Sequence, residues 1–158
     1  MNNFIKFLPV FLLTGCAAAI NITPPQPSNA QNKFIVDSGY DKAWNGVVDW
    51  FAENHITIDK LDKESGIVTA KHKLLVDNNE LNCGDIKGSG TFTIRGESKT
   101  LLLNVLVRNL PDGKAKVQIN LSGEIYVRGR NWDTGADIST SGPCSSTGKL
   151  ERSLETYL

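Results

Sequence analysis

The residues of this chain that could do chemistry are three cysteines, Cys16, Cys83 and Cys144, and a group of arginines with a tryptophan near residue 130. A cysteine thiol can be acylated, oxidised or used as a metal ligand. The sequence contains no Gly-x-Ser-x-Gly elbow and no His-Glu-x-x-His motif, and it has only two histidines, His55 and His72. We therefore expect no enzymatic activity, no cofactor and no bound metal.

The position of Cys16 indicates a processed N-terminus. A short segment with one positive charge and then a short apolar stretch precede it, as in a secretory signal. Leu13, Thr14, Gly15 and Cys16 resemble the bacterial lipobox at every position. The resemblance implies cleavage of residues 1–15 as a signal peptide and lipidation of Cys16. The alternative is an ordinary signal peptide with an incidental cysteine.

The residues after Cys16 predict where the lipidated chain is anchored. Ala17 stands where an aspartate would retain an enterobacterial lipoprotein at the inner membrane, so we expect the outer membrane, with the chain facing the periplasm. Two or more acyl chains give stable anchoring. Three prolines fall within residues 16–32, which we interpret as an extended tether. Residues 33–158 are then one folded domain.

The charge of the whole chain limits its partners. Seventeen basic residues balance seventeen acidic ones, for a net charge of zero. Nucleic acids attract a basic excess. We therefore expect no nucleic-acid partner, contact with the membrane through the lipid on Cys16, and a protein partner in the cell envelope.

Hydrophobic periodicity predicts an α+β fold. A strand at residues 33–37 precedes a helix at 41–54, whose apolar residues recur every three or four positions. Residues 115–127 alternate strictly between apolar and polar, as in an antiparallel strand with one buried face. Apolar residues share one face of a final helix at 147–158. We expect an antiparallel sheet with one face covered by the N-terminal helix and the short C-terminal helix, a helix-grip-like two-layer sandwich.

Three connections between these elements are predicted as turns or loops. Residues 96–98 are expected to turn one strand, 91–95, into the next, 100–110. Residues 78–90 form a polar loop, and residues 129–146 form a long loop rich in glycine and serine.

Two site predictions fall in those loops. Cys83 and Cys144 are an even pair in an oxidising compartment once Cys16 carries lipid, so we predict a disulfide between them. Reduced thiols that bind metal or react with substrate are the alternative. Arg128, Arg130 and Trp132 are candidate partner-binding residues, because arginine and tryptophan are enriched at contact hot spots. The alternative is a solvated loop over the sheet edge.

Three segments carry a resemblance to a known family: Tyr40-Asp41-Lys42-Ala43-Trp44, Ile58-Asp59-Lys60 and Lys63-Glu64-Ser65-Gly66-Ile67-Val68. They resemble the opening of the helix-grip domains of BamC-type lipoproteins, which belong to the outer-membrane β-barrel assembly machinery. The resemblance implies a helix-grip domain and a binding or scaffold role in envelope assembly. BamC-type proteins carry two such domains, whereas this chain has room for one. The alternatives are a carrier of lipid or another small ligand and an enzyme-inhibitor lipoprotein.

Overall fold

The computed structural model describes residues 20–74 and 79–158. Every strand pairing within these ranges is antiparallel, and two helices accompany the sheets, which confirms the α+β class. Neither helix in the described part of the chain is long and apolar enough to cross a membrane. The elements in chain order are β1 (Ile20–Thr23), β2 (Lys33–Val36), α1 (Tyr40–Glu53), β3 (Lys60–Asp62), β4 (Ile67–Leu74), β5 (Leu81–Asn82), β6 (Asp85–Gly88), β7 (Phe92–Asn109), β8 (Ala115–Asn131), β9 (Asp137–Ser146) and α2 (Lys149–Tyr157).

The main sheet is built on the long β7–β8 hairpin. The strand order is β3-β4-β7-β8-β9-β5, and β2 pairs with the first residues of β8. In β8, Val117, Ile119, Ile125 and Val127 are fully buried and Gly123 is buried, while the residues that alternate with them, such as Gln118, Glu124 and Tyr126, are exposed or half-buried. The alternation in the sequence therefore assigns these residues to two faces. We call the face with the buried residues the inner face and the other one the outer face.

Both helices bury their apolar residues in the same core as the inner face of the sheet. The helix α1 buries Trp50 and Phe51 completely, and α2 buries Leu154. The indole Nε1–H of Trp50 donates a hydrogen bond to Ser153 Oγ at 3.0 Å, which joins the two helices. Burial of side chains this large supplies most of the stability of a short helix such as α2.

The turn predicted at residues 96–98 is wrong. The strand β7 continues through this segment and pairs with β8 on both sides of a register shift between Ile94 and Gly96. A β-bulge of this kind holds one extra residue and locally bends the strand. Gly96 lies next to the register shift, but cross-strand hydrogen bonds to β8 keep the chain extended there.

The long loop predicted at residues 129–146 is also wrong. Here β8 continues to Asn131 and a tight turn leads directly into β9. The Asn131 carboxamide oxygen accepts hydrogen bonds from the N–H groups of Asp133 and Thr134, and Gly135 takes a φ of +71°. Asparagine and glycine thereby close the hairpin. The segment lacks apolar alternation, so its strand state depends on pairing with β8.

Part of the expected tether belongs to the fold. Within residues 16–32, β1 pairs with β6 as a separate two-stranded ribbon, and Ile20 is only 7% exposed. A Cβ at Gly129 would lie 2.7 Å from Ile20 Cδ1, and one at Gly142 would lie 2.8 Å from Ile22 Cγ2. The two glycines thus let the ribbon pack closely on the inner face. Folded structure therefore includes residues before position 33, and the polar loop predicted at 78–90 contains β5 and β6.

Candidate partner-binding surface

The predicted partner-binding residues lie at the end of the β7–β8–β9 sheet. Arg128 and Arg130 are exposed on the outer face of β8, and Trp132 begins the turn that follows. Because they belong to a strand and a tight turn, their backbone positions are set by the register with β7 and β9. Binding residues on regular elements are held more precisely than residues on long loops.

The indole of Trp132 is exposed yet held in place. The side chain is 64% exposed, the largest value among the exposed large hydrophobic residues of the described chain. Its Nε1–H donates a hydrogen bond to Thr93 Oγ1 on β7. The guanidinium carbon of Arg95 lies 4.8 Å from the ring centroid, which is a cation–π contact. The ring therefore presents apolar area to a partner. Because the Trp132 side chain is already held in place, it loses little conformational entropy on binding.

The bulge in β7 explains why Arg95 meets this tryptophan. Arg95 is the residue between Ile94 and Gly96, where the register with β8 shifts. A residue in a bulge does not follow the strict two-residue alternation of the strand, so its side chain can take a direction that regular pairing would not allow. Sequence analysis did not select Arg95. The only local signal was Gly96, which we interpreted as a turn.

A cleft of about 430 Å³ lies next to Arg95, the residue that stacks on Trp132. It is lined by Arg95, Tyr126, Arg128, Gly129, Asp137, Ile138 and Ser139. We call Arg95, Tyr126, Arg128, Arg130 and Trp132 the arginine–aromatic surface. Tyr126, 44% exposed, was not singled out from the sequence because it alternates regularly with its neighbours.

The electrostatics of this surface favour a negatively charged group. Arg130 Nη1 lies 3.5 Å from Asp137 Oδ1, and both side chains are well exposed, so this ion pair is weak. Arg95 and Arg128 have no ion pair among the salt bridges of the described chain. Guanidinium groups bind carboxylates through two parallel hydrogen bonds. The arrangement can therefore bind an anionic partner and contact its apolar groups.

The cysteine pair lies elsewhere, in the interior. The sulfur atoms of Cys83 and Cys144 are 2.03 Å apart, the distance of a disulfide, and both residues are buried. Cys144 lies on β9 and Cys83 directly follows β5, so the bridge joins two neighbouring strands. Among the described residues, no group of three or more His, Cys, Asp or Glu could hold a metal ion.

The segments that resemble BamC-type domains meet in space. The Tyr40 hydroxyl donates to the carbonyl of Lys63, and Asp41 Oδ1 lies 2.8 Å from Lys63 Nζ. The N–H of Ser65 donates to Asp62 Oδ1, and this hydrogen bond is the main cause of a lowered pKa at Asp62. The first two contacts tie the start of α1 to the β3–β4 turn, and the third lies within that turn. The segments at residues 40–44 and 63–68 thus share a structural role in the fold.

Cys16 and the predicted signal peptide, residues 1–15, lie outside the described residues. In comparisons with known proteins, no family model and no curated protein matches this chain.

Proposed function

We propose that this chain is a non-enzymatic lipoprotein, anchored in the bacterial outer membrane through Cys16, that serves as a binding or scaffold module in envelope assembly. The lipobox resemblance supports the anchor. The observation that carries the binding role is the arginine–aromatic surface, where an exposed Trp132 is held by Thr93 and Arg95. An exposed aromatic side chain that is already ordered is typical of a contact hot spot.

The proposal includes a helix-grip-like arrangement of the domain. It is supported by the shared core, in which the apolar residues of α1 and α2 lie with the inner-face residues of the sheet. The same packing favours a scaffold over a carrier. Trp50, Phe51 and Leu154 occupy the space between the helices and the sheet, and each is fully buried. A carrier of lipid or another small ligand needs that space for its ligand.

The test of the binding role is crosslinking in intact cells followed by mass spectrometry of the captured proteins. Trp132→Ala is expected to weaken partner binding about tenfold or more, as truncation of a hot-spot residue does. Its free energy of unfolding should fall by only about 1 kcal/mol, since one exposed hydrogen bond and one cation–π contact are lost. Leu61→Ala is the matched control, because Leu61 is also an exposed apolar residue but lies on edge strand β3.

Two outcomes of the crosslinking experiment would contradict the binding role. A captured partner that binds Trp132→Ala as well as the wild type would remove the role assigned to this surface. A large loss of stability in Trp132→Ala would make the residue structural. Leu61→Ala should capture the same partner at the same yield.

The anchor is tested separately by fractionation. Cys16→Ser is expected to stay unprocessed or to become soluble, because the acylated residue is missing. The wild type should fractionate with outer membranes. Wild-type protein that is soluble without detergent would contradict the anchor and leave the binding role to be judged on the crosslinking alone.

A further inference from the structure

The strand β9 has one free edge. On one side it pairs with β8 from Asp137 to Ser145. On the other side β5 pairs only with Ser145 and Ser146. Within residues 20–74 and 79–158, no strand pairs with that second side of β9 from Asp137 to Cys144. A free edge offers unpaired N–H and C=O groups to another chain.

The ribbon of β1 and β6 leaves this edge open. Ile22 of β1 packs above the position of a Gly142 Cβ, which places β1 over the inner face and outside the plane of the sheet. Pro143, which has no N–H to donate, limits the free edge at one end, and proline is typical of edge strands. Five residues, 138–142, precede it. An edge of this length suits the addition of a short extended segment.

On the outer face, the side chains of β9 beside this edge are small and polar. Long cationic side chains lie on the neighbouring strand β8. Ser139 lies opposite Arg128, and Ser141 lies opposite Tyr126. An added strand would lie about 10 Å from β8, since neighbouring strands are about 4.8 Å apart. The two serines leave space over β9, so the Arg128 side chain can extend toward the added strand. Arg95 and Arg130 add positive charge on the same face.

The inner side of the edge carries one polar residue, Thr140 opposite Val127, between the apolar Ile138 and Gly142. Ile138 and Gly142 belong to the inner face, because they pair with Gly129 and Ile125 of β8. Ile22 packs beside Gly142 there. Successive side chains of an added strand point to opposite faces. They would therefore meet Ile138, Thr140 and Ile22 on the inner side and arginines on the outer side.

We propose that the free edge of β9 binds an extended segment of a protein partner as an additional strand, with acidic side chains toward Arg128 and Arg95 and apolar side chains between them. This inference rests on the proposed binding function and names the kind of partner segment. Main-chain hydrogen bonds along residues 138–142 supply affinity, and the carboxylate–guanidinium contacts supply specificity.

The experiment uses the full-length chain in cells, with a photo-crosslinking amino acid placed at Ser139, Ser141 or Asp133, the exposed neighbour of Trp132, so that the indole stays in place. Lys60, exposed on the opposite edge strand β3, is the control position. The crosslinked peptide of the partner is identified by mass spectrometry. We expect Ser139 and Ser141 to capture one segment in which acidic and apolar residues alternate, and Lys60 not to capture it.

Charge reversal tests the outer-face contact. Arg128→Glu is expected to lower the yield from Ser141 at least tenfold, and Arg128→Gln should lower it less. Lys116→Glu, at the exposed far end of β8, should leave the yield unchanged. These variants change exposed side chains, so the fold is retained.

Each outcome decides between the two proposals. Capture from Asp133 without capture from Ser139 or Ser141 would overturn strand addition and keep the binding function. A captured segment without acidic residues, or capture of a second copy of this chain, would also overturn it. Capture from none of the three positions would remove the binding function, and strand addition with it.

Discussion

Removal of the bridge between Cys83 and Cys144 is expected to destabilise the chain strongly and in a defined order. The two residues are separated by 61 positions. In the chain-entropy treatment, releasing a loop of this size lowers the free energy of unfolding by about 4 kcal/mol. The perturbation is the double variant Cys83→Ala, Cys144→Ala. Ser141→Ala is the control, because it changes an exposed residue of the same strand.

The structure also predicts which part opens first. The strand β5 has only two residues and pairs with β9 at Leu81 and Asn82. The side chain of Leu81 packs into the space left by Gly123, where a Cβ would lie 2.3 Å from Leu81 Cδ1. Hydrogen bonds from the Thr147 N–H and hydroxyl to the carbonyls of Asn79 and Glu80 hold the chain just before β5, and the bridge at Cys83 holds its other end. Without the bridge, β5 and β6 should open below the energy of global unfolding.

The final helix, α2, is expected to open later than β5 and β6, although it follows Cys144 closely in the chain. In the structure α2 is held independently, by burial of Leu150 and Leu154 and by the hydrogen bond from Trp50 to Ser153. Cys144 lies within β9 and not at the helix. The bridge therefore holds β5 against the sheet more directly than it holds α2.

The assay combines urea unfolding with native-state amide exchange. The double variant should show the lower midpoint expected for a loss of about 4 kcal/mol, and amides of β5 and β6 should exchange fastest. A loss below about 1 kcal/mol would refute the loop-closure argument. Faster exchange in α2 than in β5 and β6 would refute the assignment of what the bridge holds. Ser141→Ala should change neither quantity.

Three further predictions concern packing and ionisation. Gly129→Ala should lower the free energy of unfolding by about 1–3 kcal/mol, because the new Cβ would lie 2.7 Å from Ile20 Cδ1. A double-mutant cycle with Ile20→Ala in urea should show coupling, and strict additivity would contradict this packing. Glu151→Gln should raise the stability by about 1 kcal/mol, because the residue is 3% exposed and its Oε2 has no hydrogen-bond partner in the described structure; a lower melting temperature would contradict this reasoning. The Tyr157 hydroxyl donates to Glu53 Oε1 at 2.7 Å, which raises the pKa of Tyr157 above its ordinary value of 10.0. This hydrogen bond stabilises the folded state below pH 10.0, and the stabilisation is lost as the pH rises through the raised pKa. The melting temperature of Tyr157→Phe should therefore lack this alkaline dependence. Equal pH profiles for the variant and the wild type would refute the argument.

The candidate surface shows how far sequence reasoning reaches. Composition and spacing selected Arg128, Arg130 and Trp132, and the structure brings them to one end of the sheet. Arg95 and Tyr126 were missed. Arg95 is more than thirty positions from Trp132 in the chain, and only the pairing of β7 with β8 brings the two together. No local pattern records a contact of that kind.

The sequence by itself determined the elements that carry their own periodicity. The helix α1 follows from apolar residues at three- and four-residue intervals, and β8 follows from strict alternation. The pairing of Cys83 with Cys144 followed from an even count of the cysteines left after Cys16. In each case the relevant signal is local or a matter of counting, so it can be read without knowing which segments meet.

Only the tertiary structure decided the elements whose state comes from a partner strand. β9 lacks apolar alternation and β1 has only four residues, too few for a clear pattern, and each is extended because a neighbouring strand pairs with its backbone. Gly129 and Gly142 were unremarkable in the sequence until the ribbon of β1 packed against them. Backbone pairing between distant segments depends little on side-chain type, and so the sequence pattern carries little record of it.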